Sequence, residues 1–212
     1  QGDRADISGQ LRSGAGGAAL SGQADWSDQP KVSLDLKGSR FGIRQELEIL
    51  AEVDTDLHIE LQPGQVDQTG TVRVPYARFN LKQLPERSVG LSADVIVLKT
   101  AGGRLHASTL RRGQAMAINA DVELILGDDV FINGFGVIGS LNGGLHMRQS
   151  AQRGLEAYGE LGLDKDARYE AYGQKLKVRR GRLIFAGNIS QPAIDAEAIR
   201  EVDDNIVGIR VE

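Results

Sequence analysis

Cysteine is missing from the 212-residue chain altogether, which removes thiol nucleophiles, thiolate metal centres and disulfides together. That suits an oxidising compartment, where stray thiols are a liability. Aromatic residues make up only 5% and prolines number five. Basic charge is not in excess either. Lys and Arg number 25 against 29 Asp and Glu, a formal net charge of −4, so the footprint of a nucleic-acid binder is absent. The longest run free of Asp, Glu, Lys and Arg, Val130 to Met147, holds Asn133, Asn142, His146 and five glycines. It is no membrane span. The chain opens on Gln1-Gly2 without Met, charged n-region or apolar h-region. It reads as a mature or excised soluble segment whose targeting signal lay upstream.

Glycine and alternation are what the chain has in quantity. Gly stands at 27 of 212, nearly twice the usual ~7%, and such abundance without low complexity marks turns, bulges and close backbone approaches. At this length the chain is one large domain or two small ones, able to bury a substantial core. The dominant period is two. From Leu47 the odd positions read Leu47, Ile49, Ala51, Val53, Thr55, Leu57, Ile59 and Leu61, while the even positions are polar except Leu50. One apolar and one polar face mark a half-buried strand. Asp54 and Asp56 inside this run predict a break, hence two short strands. The alternation recurs at Val32–Leu36, at Val72, Val74 and Tyr76, at Val89–Val97, at Ile118, Ala120, Val122, Leu124 and Leu126, at Leu155–Leu163 and at Ile194–Ala198. Arg44 to Ala51, the best helical candidate, fits a strand better.

Pro63-Gly64, Gly102-Gly103, Gly127-Asp128, Asn133-Gly134 and Asn142-Gly143 are breakers or hairpin formers, and the wet stretch Leu98 to Gly113 reads as a loop or mobile hairpin. A loose repeat, apolar, small polar, Gly, x, apolar, occurs at Ile7–Leu11, Leu20–Ala24 and Leu141–Leu145, with a weaker copy at Gln68–Val72. Its irregular spacing excludes a strict solenoid. Glycine within strands marks bulges or bends, and repeated across neighbours such bends would curl the sheet.

Catalytic constellations are thin. Gly134-Phe-Gly136-Val-Ile-Gly139 matches the dinucleotide signature by letter, but that signature needs a following helix N-terminus. The continuation Ser140-Leu-Asn-Gly-Gly is a poor helix, so a glycine-bent hairpin is expected. His58, His106 and His146 are scattered without metal-ligand spacing and read as exposed or loop residues. No serine sits in a nucleophile elbow or an SxxK motif. Glu46, Glu48, Glu52, Asp54 and Asp56 fall mostly on one alternation face, as a solvated strand surface requires, and Asp203-Asp204-Asn205 reads as an acidic loop. No enzyme activity, metal or cofactor is expected. The run Lys175–Arg182 carries five positive charges. As a strand it sets Lys175, Lys177 and Arg179 opposite Leu176 and Val178, and reads as a solvated face or a site for anionic headgroups or an acidic partner.

A resemblance rests on longer stretches. Tyr169-Glu-Ala-Tyr172-Gly173-Gln-Lys-Leu-Lys-Val-Arg-Arg-Gly181-Arg-Leu-Ile-Phe185-Ala-Gly187 runs on to Gln191-Pro192-Ala-Ile194-Asp-Ala-Glu-Ala-Ile-Arg200. Together with Gly70–Arg78, Leu84–Val95 and Gly134–Leu145 it resembles the C-terminal region of the TamB family. The resemblance covers Val53 to Glu212; before Leu50 only the glycine repeat supports it. The chain is therefore read as one elongated β domain over 1–212, with preceding strands over 1–50 and the TamB-like region over 51–212, a fragment of a larger protein.

The resemblance implies the periplasmic portion of an inner-membrane-anchored protein of a Gram-negative bacterium. Its partner would be a TamA-like outer-membrane barrel, contacted through a terminal segment beyond this chain. It implies roles in assembling outer-membrane β-barrels and autotransporters and in phospholipid transport. The implied fold is all-β: an elongated, strongly curved antiparallel or mixed sheet forming an open, taco-like half-barrel with an apolar groove. The groove would be lined by Leu57, Ile59, Leu61, Val72, Val74, Val122, Leu124, Leu126, Leu161, Leu176, Val178, Leu183, Phe185 and Ile194. It would hold phospholipid acyl chains or a nascent barrel strand added by β-augmentation.

Overall fold

The computed structural model describes residues 3–27, 29–45, 48–81, 116–171, 173–202 and 205–212. The Val89–Val97 strand, the Leu84–Val95 motif, the Leu98–Gly113 stretch, Gly102-Gly103, His106, Glu46, Leu47, Tyr172 and Asp203-Asp204 lie outside them. The rest is built from strands: β1 (Arg4–Ser13), β2 (Gly16–Asp25), β3 (Lys31–Gln45), β4 (Ile49–Gln62), β5 (Gln65–Leu81), β6 (Ala117–Gly134), β7 (Val137–Ser150), β8 (Gly154–Leu163), β9 (Arg168–Ala171), β10 (Gln174–Asn188), β11 (Ala193–Val202) and β12 (Asn205–Val211). No helix occurs among the described residues.

All twelve strands belong to one sheet, which follows chain order from β1 to β8 and then β10, β11 and β12. Every pairing is antiparallel except β5 with β6, which is parallel, so the sheet is mixed. β8 and β9 share one position: β7 and β10 pair with β8 along one stretch and with β9 along another. β1 and β12 form the two outer edges, unpaired with one another.

The ladder is irregular along one line. Register shifts fall between Gly38 and Phe41 on β3, Glu52 and Asp54 on β4, Val74 and Tyr76 on β5, and Ile125 and Phe131 on β6. The line continues through residues 164–167, where β8 gives way to β9, to a shift between Val178 and Arg180 on β10. A bulge bends its strand and raises the local twist. Aligned on neighbours, these bulges form one line, a crease in the ladder that runs across the strands. The buried apolar residues concentrate there: Ala51, Val53, Val74, Ala77 and Val130 in one cluster, with Phe41, Phe79 and Leu141 against it. Ala167, Leu176, Val178 and Ala198 form a second, with Leu163 and Tyr169. Val130 is the largest side chain that is wholly buried.

The sequence at the crease permits close backbone approach. Pro75, which has no N–H to donate, sits at the β5 bulge, where a ladder bond is dispensable. A Cβ on Gly127 opposite would lie 2.8 Å from the Pro75 Cα. Arg40 occupies the left-handed region at φ 47°, uncommon for a side chain of its size. Its N–H donates to Asp54 Oδ1 at 2.7 Å and its guanidinium to Glu52 at 2.8 Å.

Several expectations are corrected. The Leu47–Leu61 run is not two short strands, since β4 continues through Asp54 and Asp56. Both carboxylates meet cross-strand partners, the Arg40 N–H and Lys37 Nζ at 3.6 Å, so the acidic pair does not break it. Gly127-Asp128 and Asn142-Gly143 lie inside β6 and β7. Asn133-Gly134 ends β6, and the turn comes one residue later at Phe135-Gly136, with φ 54° and 82°. Two positive φ values are what a two-residue hairpin of the primed type requires. The Gly134–Gly139 motif is thus a hairpin, as expected. The bulge at Pro75 moves Tyr76 off the face of Val72 and Val74 to the opposite one, under the Arg78 guanidinium at 4.4 Å. The repeat glycines do not form one row: Gly22 faces Ile7 and Leu34, Gly70 faces Leu57 and Val122, and Gly143 faces Leu161. Each leaves room for a large apolar side chain across the ladder.

Candidate functional site: one apolar face of the sheet

Residues paired across a ladder point to the same face, so the register assigns every side chain. One row runs Leu36, Leu57, Gly70, Val122, Met147, Ala157, Gly187 across β3 to β10. The next runs Gly38, Thr55, Val72, Leu124, Leu145, Gly159, Phe185 over the same strands. Leu34 pairs with Ile59; Leu61 pairs with Val66, and Val66 with Ile118. Val74 pairs with Leu126, Leu161 with Leu183, and Leu183 with Ile194. Leu176 pairs with Tyr169 and Val178 with Ala198. The register thus brings all fourteen predicted lining residues to one face of the sheet, spread over β4, β5, β6, β8, β10 and β11 rather than gathered at one point.

Burial along this face is graded. Leu57, Val74, Leu176 and Val178 are buried, and Ile59, Leu61, Val72, Val122, Leu124, Leu126, Leu161 and Phe185 are half-buried. Leu183 is 36% and Ile194 46% exposed. Every described strand belongs to the one sheet. At the C-terminal end it holds a cavity of about 240 Å³, between Val137, Leu163 and Tyr169 on one side and Ile209 and Val211 of β12 on the other. Sequence alternation missed Phe41, Val130, Leu141 and the β12 residues as members of this face. The β3 bulge inverts parity before Phe41, Val130 and Leu141 keep their strands' parity but stand beside Gly127-Asp128 and Asn142-Gly143, which read as turns, and the β12 run is too short to show a period.

The opposite face is polar and heavily paired. Lys31 meets Glu60 at 2.8 Å, Arg78 meets Asp129 at 2.5 Å, and Arg148 meets Asp121 at 3.2 Å. His58 Nδ1 lies 2.8 Å from Asp35 Oδ1, and that hydrogen bond raises the His58 pKa against desolvation, with Glu60 adding to the rise. His146 Nε2 lies 2.5 Å from Asp121, and this contact is the main cause that lowers the Asp121 carboxyl. Both histidines are accounted for by exposed carboxylate partners. Among the described residues no group of three His, Asp or Glu is placed to hold a metal ion.

The basic run is largely neutralised. Lys175 meets Glu170 at 3.5 Å, Arg179 meets Glu197 at 3.6 Å, and Arg180 meets Asp195 at 2.8 Å. Arg182 meets Asp195 at 2.5 Å and is the main cause holding the Asp195 carboxyl low. The bulge at Arg179 places Lys177, Arg180 and Arg182 opposite Ile199, Glu197 and Asp195. Of the three cations singled out in sequence, only Lys177 has no carboxylate within salt-bridge distance among the described residues.

The described residues therefore form one all-β sheet with one apolar face and one ion-paired polar face. Comparison with known proteins gives the family. The profile described as TamB C-terminal domain matches residues 5–212, and the chain belongs to the TamB family. The match takes in β1 to β3, where the glycine repeat alone had carried the resemblance. The chain is also similar to the translocation and assembly module subunit TamB of Haemophilus influenzae (strain ATCC 51907 / DSM 11121 / KW20 / Rd). It is 26% identical over 223 residues, covering 99% of this chain and 17% of that protein. The chain thus spans less than a fifth of that relative's length. No helix among the described residues is long and apolar enough to cross a membrane.

Proposed function

We propose that this chain is the non-catalytic, periplasmic groove portion of a translocation and assembly module subunit acting in outer-membrane biogenesis. Bent along its crease into an open trough, the sheet shields phospholipid acyl chains between the inner and outer membranes, alongside a TamA-like outer-membrane barrel. One observation carries the reading: the register gathers the apolar residues of successive strands on one face of the sheet, where Leu183 and Ile194 stay exposed. With strands about 4.8 Å apart, the eleven positions of the sheet span roughly 50 Å along the crease. An acyl chain occupies about half of a bilayer's ~30 Å hydrocarbon thickness, so it fits lengthwise along the rows. Its exposure to water costs about 0.8 kcal/mol per CH₂, or roughly 13 kcal/mol for sixteen carbons. A continuous apolar lane removes most of that barrier without any chemical step.

A second reading has its own support. β12 is an outer strand whose residues are all exposed, Ile206 at 63% and Ile209 at 52%. An apolar edge of this kind accepts an added strand, so nascent barrel segments are the alternative cargo.

Ile59→Asp sets a charge in the lane at a half-buried position. Photocrosslinking to acyl-diazirine phospholipid, with mass spectrometry of co-purifying lipid, reads the outcome. Lipid contact is expected to fall at least tenfold. Unchanged lipid contact with lost crosslinks to unfolded barrel strands reverses the preference between the two cargoes.

A further inference from the structure

The apolar cavity of about 240 Å³ at the C-terminal end differs from the rest of the face. It borders one of the two buried clusters, sharing Val178 and Ala198 with it. It opens to solvent on the β12 side, where Ile209 and Val211 are 52% and 45% exposed. Its floor is made of small residues, Gly181, Ala196 and Ala198. A Cβ on Gly181 would already come within 2.7 Å of Leu163, so the wall on that side is close. Among the apolar-face residues around it only Tyr169 carries a polar side-chain atom. Water needs two to four polar partners to occupy a cavity and finds few here. Arg180 and Glu197 reach the cavity from the other face and are paired with each other at 3.6 Å, so they offer no free charge to an ionic ligand.

We propose that this cavity is a seat for the terminal segment of a single aliphatic chain, the end of one phospholipid acyl chain. It is a fixed binding point within a lane that elsewhere offers only an open, half-wet surface. The inference rests on the lipid reading above. A seat of this kind takes apolar atoms from the two strands of the floor, β10 and β11, and from the β9 and β12 walls at once, whereas the open rows touch a chain from one side. An acyl chain therefore dwells longest at β10 to β12, with the rest of its length running back along the rows towards β8.

The test uses the full-length protein and phosphatidylethanolamine carrying a diazirine either at the terminal carbon or at the middle of a sixteen-carbon chain. Terminal-carbon labelling is expected to concentrate on residues 176–198 and mid-chain labelling on β7 and β8. Ala198→Phe, which fills the floor, should cut terminal labelling at least fivefold while labelling near Ile59 persists. Ala196→Leu serves the same purpose if the phenylalanine variant melts early. Equal labelling along all strands with either probe, or labelling that neither variant reduces, overturns the seat and leaves the lane intact. Absence of labelling anywhere on the apolar face overturns the lipid reading itself. Seating of an apolar side chain from an unfolded barrel peptide, with no lipid competition, also overturns the seat as proposed.

Discussion

Replacing Val130 by alanine removes two methyl groups from the largest wholly buried side chain of the crease. Their transfer alone is worth about 1.6 kcal/mol at 0.8 kcal/mol per methyl, and incomplete collapse of the cavity brings the loss to about 2–3 kcal/mol. For a chain of this size 1 kcal/mol moves the melting temperature by about 2–4 °C, so Val130→Ala should melt about 4–12 °C earlier. Val207 on β12 is 53% exposed, and Val207→Ala should cost less than about 0.5 kcal/mol. Circular dichroism melts of both variants at one pH and salt give the comparison. If Val130→Ala melts within a degree of the parent, or Val207→Ala loses as much, the crease does not hold the sheet together and the bend inferred from its bulges loses its support.

The other expectations are smaller in scope. Gly70 lies at φ +135°, and a Cβ there would come within 2.1 Å of the Asp56 carbonyl oxygen. Gly70→Ala should therefore cost at least about 1–3 kcal/mol, whereas Gly9→Ala, with open space around it, should be neutral in the same urea titration. The His58 pKa is raised above its unfolded value by Asp35. Its contribution to stability is therefore complete below the ordinary histidine value and fades as pH rises through the folded one. Melting temperature should fall, as pH rises above the ordinary histidine value, more in the parent than in Asp35→Asn, with a small amplitude because the pair is exposed. A His58 NMR titration that Asp35→Asn leaves unmoved would contradict this.

The alternation was legible wherever strands are unbulged. Leu57, Ile59 and Leu61, and Val122, Leu124 and Leu126, share the face that their parity assigns them. Parity fails at the crease. Tyr76 crosses to the polar face, and Asp54 sits within a continuous strand because Arg40 supplies a donor from the neighbouring bulge. Gly127-Asp128 and Asn142-Gly143 carry the residue types of a turn, yet glycine serves a bulge as readily as a hairpin, and only the neighbouring strand decides which. The parallel partnership of β5 and β6 was equally hidden, since it depends on how the chain returns between them. The neutralisation of the basic run on β10 was hidden for a related reason: its charges cluster in sequence, but the carboxylates that pair with them, Glu160, Glu170, Asp195 and Glu197, come from three other strands.

Faces separate by single residues in a strand, which gives the lane its sharpest test. Leu124 and Ile125 are adjacent, both half-buried and of equal size, so hydropathy alone cannot tell them apart. The register sends Leu124 to the row of Val72 and Leu145, and Ile125 to the polar side opposite Arg73. A half-wet face offers cargo only the apolar area that its own packing leaves uncovered, worth about 25 cal/mol per Å². Binding at any one row is accordingly weak. On the proposed lipid reading, a chain that moves along a row by one strand exchanges one side chain for the next of similar make, so no deep well is expected between β3 and β8. An aspartate at Leu124 breaks that equivalence by placing a solvated charge in the path, and acyl labelling should drop at least tenfold. An aspartate at Ile125 stands among charged neighbours outside the path and should leave labelling within twofold of the parent. If the two variants lose labelling equally, the difference between the faces plays no part in lipid contact.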